Sequence, residues 1–383
     1  MIDIIFDATD GDRGVGGGHD EEAPSAVVSA TWSSPGGTGA LAAYVGDGAA
    51  RRDTDGLTSG APDEAVALAA AEVRRQLGRA AVAARDYAAR AKAPNTLRAY
   101  RADWADFAAW CARYDLPALP AAPATVALYL AALADGGRKA STLQRRLSAI
   151  SQAHQVAGLD TPTREALVRL TWAGIRRTIG TAQDGKAPLV TADLRRLVAA
   201  LPEGLPGVRD RALLLVGFAG AFRCAELVGL DVADVRATRD GLIATIRHSK
   251  TDQEGQGRAV GLPYGSHPAT CSVRALADWR DAGAIAAGPL FRRIDRHGNV
   301  GAARLSDRAV ALIVQRAAAA AGLDPADYAG HSLRSGLATA AAQAGVSERA
   351  IMAQTGHRAV TMVRRYIRDG SLFRENAAAS VGL

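Results

Sequence analysis

Apolar positions along this chain recur mostly at three- and four-residue steps, the spacing of amphipathic helices. An Ala/Arg-rich stretch over 62–92 reads as one helix that stops before Pro94, and a second starts at Asn95/Thr96, with Tyr100, Trp104, Phe107 and Cys111 on one face. A Pro-broken loop over 116–123 precedes a short apolar helix, 125–134, ended by Gly136 and Gly137. Ser141 is placed to cap the next helix, with Leu143, Leu147 and Ile150 inward and Gln144, Arg145 and Arg146 outward. A fourth helix of this group runs from about Thr163 to Ile179. Together these predict a compact all-α domain over 94–180, preceded by a helical lead-in over 61–93.

The pattern changes in TAQDGKAPL, 181–189, a polar linker with Gly and Pro that marks a domain boundary. Helices follow near 191–200 and 207–219. Two alternating segments, 242–247 and 258–262, then flank a Gly-containing turn and predict a β-hairpin. Helical spacing resumes at about 270–282, 306–321 with Ser306 as cap, 332–344, 347–354 and 360–367, with a further tail helix after Ser371. The second domain, 190–383, is therefore mainly α with a small sheet.

Residues 1–60 have no sustained period and are rich in Gly, Ser and Asp. They read as an acidic, disordered extension. The charge distribution sharpens this. The chain of 383 residues carries +7 overall, but 1–60 holds ten acids against three bases, which leaves +14 on 61–383. A basic body of that size points to a polyanionic partner. The longest apolar run, 212–222, is too short to span a membrane. The first residues lack the basic start and apolar core of a signal peptide, so a cytoplasmic protein is expected. Cys111, Cys224 and Cys271 are odd in number and far apart, and no metal-ligand spacing occurs, so neither disulfides nor a metal or other cofactor are expected. Lysine occurs only four times against 42 arginines, a bias that makes any lysine in a motif stand out.

Four phrases in the second domain carry bases in unusual company. Arg223 ends the apolar helical run, with Glu226 three residues on along the same helix face, where a carboxylate can buttress a guanidinium. Lys250 lies just past the first hairpin strand. His331 and Arg334 sit at i,i+3 where a helix begins after Gly330, an arrangement suited to anions. His357 and Tyr366 are nine residues apart. At about 100° per residue they would fall on opposite faces of one helix, so a shared site needs the chain to turn, which Gly356 and a cap at Thr361 permit. Taken singly, each has a plainer reading: an ion pair at a helix end, a solvated turn lysine, a capping histidine, a tyrosine with its ring in the core.

The ordered set Arg223, Lys250, His331-x-x-Arg334, His357 and Tyr366, within FAGAFRCAELVGL, HSLRSGLATAAAQAGV and TGHRAVTMVRRYI, resembles the tyrosine recombinase (phage-integrase) family of Cre/Xer-like site-specific recombinases. The resemblance covers about 94–383. It implies a four-helix, SAM-like core-binding domain followed by an α+β catalytic domain, closing as a clamp on double-stranded DNA with inverted-repeat sites. It also implies metal-independent chemistry: Tyr366 as nucleophile, Arg223, Arg334 and His357 on the phosphate, Lys250 as general acid, His331 assisting proton transfer, and Glu226 positioning its neighbours. Groove contacts are expected from Lys139, Gln144 and Arg145 in the first domain and Arg304 and Arg308 in the second. Leu372 and Phe373 in the tail would pack on a neighbouring protomer of a tetramer on nucleoid DNA. Two other readings stay open from sequence: a type IB topoisomerase, and an accessory DNA-binding protein without activity.

Overall fold

A computed structural model describes residues 62–182, 185–247, 249 and 256–371. The extension over 1–60, Lys250, Leu372, Phe373 and the expected tail helix lie outside the described residues. The chain divides between 183 and 184 into two compact units.

The first unit is all helical: α1 (Pro62–Ala89), α2 (Pro94–Arg113), α3 (Pro123–Asp135), α4 (Ala140–Val156) and α5 (Ala166–Ile179). Prolines open α2 and α3, where a missing N–H costs nothing. The core is the one the 3–4 spacing anticipated, with Phe107 and Cys111 of α2 packed on Val126, Tyr129 and Leu130 of α3 and Leu143, Leu147 and Ile150 of α4. Burying each of these large side chains contributes about 1.5–3 kcal/mol. His154 is fully buried yet satisfied: its Nε2 accepts from the Ala121 amide at 2.9 Å, so Nδ1 carries the proton donated to the Ile150 carbonyl, also at 2.9 Å. Burial accordingly lowers its pKa. On α1, by contrast, Leu68, Val73, Leu77, Val82 and Tyr87 are exposed.

Two helix starts differ from expectation. Lys139, not Ser141, occupies the N-cap of α4, and no side chain caps it; Ser141 already lies in the first turn. Before α5, Pro162–Arg164 forms a separate 3₁₀ turn, because the Thr161 hydroxyl accepts from the Thr163 amide and closes a local turn ahead of the helix.

The second unit is built around α7 (Leu205–Ala219), whose residues from Leu213 to Phe218 are buried almost all round. Around it lie α6 (Thr191–Ala199), α8 (Cys224–Gly229), α9 (Ser272–Ala282), α10 (Asp307–Ala320) and α11 (His331–Gln343), followed by α12 (Glu348–Thr355) and α13 (Val360–Ser371). Ser306 caps α10 as expected, its hydroxyl accepting from the Ala309 amide. The predicted hairpin is present as β2 (Gly241–Ile246) and β3 (Arg258–Pro263), but β1 (Val235–Thr238) extends it to a three-stranded antiparallel sheet, β1-β2-β3. A second, two-stranded sheet pairs β4 (Arg292–Ile294) with β5 (Val300–Arg304). Strands this short show too few alternations to register as a pattern. In the first sheet Ile246 pairs with Arg258, so 247–257 is the connection that carries Lys250. No helix among the described residues is long and apolar enough to cross a membrane.

Candidate active site

The second unit gathers Arg223, Glu226, His331, Arg334, His357 and Tyr366. After α7 the chain turns sharply at Ala221, which holds a left-handed φ of 47°. For a residue with a side chain that conformation costs on the order of 1–3 kcal/mol. The turn brings the Ala221 carbonyl 2.7 Å from Nη1 of Arg334, a guanidinium with no exposed surface. Arg223 is therefore not the end of the apolar helix: it is the N-cap of α8, with Glu226 at the third helical position. The carboxylate accepts from the Arg223 backbone N–H at 3.0 Å and also pairs with the Arg223 guanidinium. One side chain thus caps the helix and fixes the arginine.

Arg258, at the start of β3, was not singled out by sequence. Its guanidinium pairs with Glu226 at 3.4 Å and donates to the Gln354 carbonyl at 3.1 Å. It also lies against Gly356, where a Cβ would approach Nε of Arg258 to 2.8 Å. Gly356 has a left-handed φ of 66° as well, so the turn between α12 and α13 requires glycine on both counts. Gln354 clasps the same region, its amide donating to the carbonyls of Ala219 and Gly261.

That turn resolves the problem of helical phase. His357 falls between α12 and α13, and its ring centroid lies 5.9 Å from that of Tyr366. Helix α13 begins at Val360, so Thr361 sits inside its first turn and is not the cap. Val363 is fully buried against Ala338, Ala342 and Ile351, with Tyr366 packed on the edge of this cluster. The Tyr366 hydroxyl is 3.0 Å from Nε2 of His331. His357 in turn places Nε2 at 3.2 Å from Nη2 of Arg334 and Nδ1 at 2.7 Å from Oγ1 of Thr355.

Three guanidiniums face one carboxylate here, and the pKa values respond. Burial, then the charges of Arg334, Arg223, His331 and Arg258, pushes His357 down to about 4. His331 opens to solvent on one side, yet partial burial and then Arg334 and Arg223 lower its pKa too. Arg334 is lowered to about 10 by burial, then Arg223, partly opposed by Glu226. Both imidazoles are therefore neutral near pH 7 while the arginines stay charged. The result is a positive, partly desolvated pocket with a hydroxyl beside a neutral base, suited to an anion.

A cleft of about 270 Å³ adjoins it, lined by Ile246, Arg258, Met352, Gly356 and His357 with Ser249 and Gln256. A larger cavity of about 440 Å³ is lined in part by Gln354 and Thr355, but by none of Arg223, His331, Arg334, His357 and Tyr366. Among the described residues no cluster of His, Cys, Asp and Glu could hold a metal ion.

The expected groove residues have mixed surroundings. Gln144 and Arg308 are exposed, and Lys139 is exposed at the start of α4. Arg145 pairs with the buried Asp103 at 2.8 Å while half its side chain stays in solvent. Arg304 is held internally, by Asp231 at 2.6 Å and the Leu230 carbonyl at 3.1 Å.

Two family profiles match the chain: the phage integrase family over residues 189–371, and the phage integrase N-terminal SAM-like domain over 86–158. An integrase/recombinase XerD homolog from Selenomonas ruminantium is 43% identical over 292 residues, covering 75% of this chain and 85% of the relative. Recombinase Cre of Escherichia phage P1 is 27% identical over 285 residues, covering 69% and 80%. Among solved structures, lambda integrase bound to DNA superposes with a TM-score of 0.52 at 19% identity, covering 76% of this chain and 93% of that one. The XerH site-specific recombinase in a post-cleavage complex gives 0.51 at 18%, covering 67% and 72%. The fold is shared: a SAM-like helical domain followed by an α+β catalytic domain.

Proposed function

The chain belongs to the phage integrase family, and from that premise we propose that it is a site-specific DNA recombinase that cuts and rejoins strands through a 3′-phosphotyrosine. The 3.0 Å approach of the Tyr366 hydroxyl to Nε2 of His331, beside Arg223 and Arg334, carries this reading. The Tyr366 oxygen attacks a backbone phosphorus, and its proton passes toward neutral His331. Arg223 and Arg334 stabilise the negative charge gathered on the phosphorane's non-bridging oxygens. His357, expected on the phosphate itself, contributes in this reading through Arg334, which it meets at 3.2 Å, and Glu226 holds Arg223. The bond to the 5′-oxygen breaks, and Lys250 gives that oxygen its proton. The phosphotyrosine ester conserves the bond energy, so a second 5′-hydroxyl attacks it, releases Tyr366 and joins the strands.

In this reading 94–180 and 190–383 both contact double-stranded DNA, joined in sequence by the 181–189 linker and preceded by the 61–93 helix. Backbone phosphates supply most of the affinity, which falls with salt. Lys139, Gln144, Arg145 and Arg308 are the groove contacts; Arg304 acts there only by releasing Asp231. Inverted-repeat sites would assemble a tetramer, with Leu372 and Phe373 packing on the next protomer, in the nucleoid of the cytoplasm. No observation favours the topoisomerase or accessory-protein readings.

The test is a nicked suicide duplex carrying the target site. A covalent protein–DNA adduct is expected from the native chain and none from Tyr366→Phe. An adduct that survives the substitution would overturn the nucleophile assignment.

A further inference from the structure

Thr355 closes α12, is fully buried, and has no part in the chemistry just described. Its hydroxyl lies 2.7 Å from the Ile351 carbonyl and 2.7 Å from Nδ1 of His357. Directions along this chain of bonds can be assigned from valence alone. A guanidinium has only donors, so at 3.2 Å from Nη2 of Arg334 the Nε2 atom of His357 must present a lone pair. A neutral imidazole has one proton, which is then on Nδ1 and is donated to Oγ1 of Thr355. The threonine's own proton goes to the Ile351 carbonyl. Arg334 is gripped at two points: Nη1 on the Ala221 carbonyl at 2.7 Å and Nη2 on His357.

We propose that Thr355 is a positioning residue of the cleavage site, whose hydroxyl holds His357 with its proton on Nδ1 and so turns the Nε2 lone pair onto Arg334 to fix the plane of that guanidinium. With the proton on Nε2 instead, two donors would face each other and Arg334 would lose its second anchor. An apolar residue at 355 fills the same space but gives the Nδ1 proton no acceptor, and a buried donor without a partner favours the wrong tautomer. The effect on strand cleavage rests on the recombinase reading; the tautomer does not.

Two variants and two measurements test this. Thr355→Val removes the hydroxyl and keeps the branched shape; Thr355→Ser keeps the hydroxyl. In ¹⁵N-histidine-labelled full-length protein near pH 7, the native chain and Thr355→Ser should show His357 protonated at Nδ1, and Thr355→Val should lose that signature. In single-turnover cleavage of the suicide duplex, Thr355→Val should slow adduct formation by about tenfold or more with DNA affinity unchanged, and Thr355→Ser should stay near native. A native spectrum with the proton on Nε2 overturns the proposal, as does a Thr355→Val protein that cleaves at the native rate. If Thr355→Val does not fold, the native and Thr355→Ser spectra still decide. If no protein forms an adduct while the native spectrum shows the Nδ1–H form, the recombinase reading fails and the tautomer assignment stands.

Discussion

Replacing Glu226 with glutamine separates two roles the carboxylate plays at once. The side chain is 2% exposed and receives the Arg223 amide, the Arg223 guanidinium and the Arg258 guanidinium. Glutamine keeps the size and one acceptor oxygen, but its NH₂ confronts guanidiniums that can only donate. Hydrogen bonds to a charged partner contribute about 1.5–3 kcal/mol each, and stranding buried charges costs about 3–5 kcal/mol. With one acceptor kept, Arg223 and Arg258 about a fifth exposed, and the Arg258 contact long at 3.4 Å, a loss of about 2–4 kcal/mol is expected. For a unit of this size that lowers Tm by roughly 5–15 °C. DNA binding should move the other way, because the pocket then holds three arginines and no counter-charge. Calorimetry, with and without a short duplex, reads both effects: Glu226→Gln should melt earlier alone and be stabilised more by DNA than the native chain. Adding Arg258→Gln should recover part of the loss as a coupling energy. An unchanged Tm, or weaker binding of the duplex by Glu226→Gln, would refute this account of the charge balance.

His357 makes stability pH-dependent with a definite sign. Its pKa is about 4 when folded against an ordinary 6.5, so the unfolded chain binds the extra proton between those values and stability falls as pH drops from about 6.5 to about 4. His331, also lowered, adds in the same direction. Denaturant titrations across that range should show the slope, and His357→Asn should flatten it; an equal slope in the variant would reassign it. For Lys250→Ala, cleavage should slow strongly on normal DNA and recover on a duplex with a sulfur 5′-leaving group, which needs no proton. Equal loss on both would remove the general-acid role.

Much of this was written in the sequence because helical faces repeat. Phe107, Cys111, Leu143, Leu147 and Ile150 are in the core where their spacing placed them. The break at Gly356 was legible too, since only a turn lets His357 and Tyr366 meet. Arg258 was not: it is one of 42 arginines, and its importance comes from register opposite Ile246, its strand partner across an eleven-residue connection. Thr355 was hidden for a related reason, because a hydroxyl at a helix end usually bonds its own backbone. The caps at Ser141 and Thr361 failed because Lys139 is the N-cap of α4 and α13 already begins at Val360. β1 and the β4–β5 pair were too short to announce themselves.

The small cluster beneath α13 has an energetic consequence. Arg334 is anchored at the turn that follows the densely packed α7, whereas Tyr366, the proposed nucleophile, rides on a helix seated on a smaller cluster of Val363, Ile351, Ala338 and Ala342 with Ala341 and Met352 at its edge. Releasing a seat of that size costs on the order of a few kcal/mol. The arginine pocket proposed to hold the phosphate can thus persist while the tyrosine is withdrawn from it. A protein that must hold a broken strand without losing it gains from this asymmetry, since the anion site outlasts any excursion of the group that attacks.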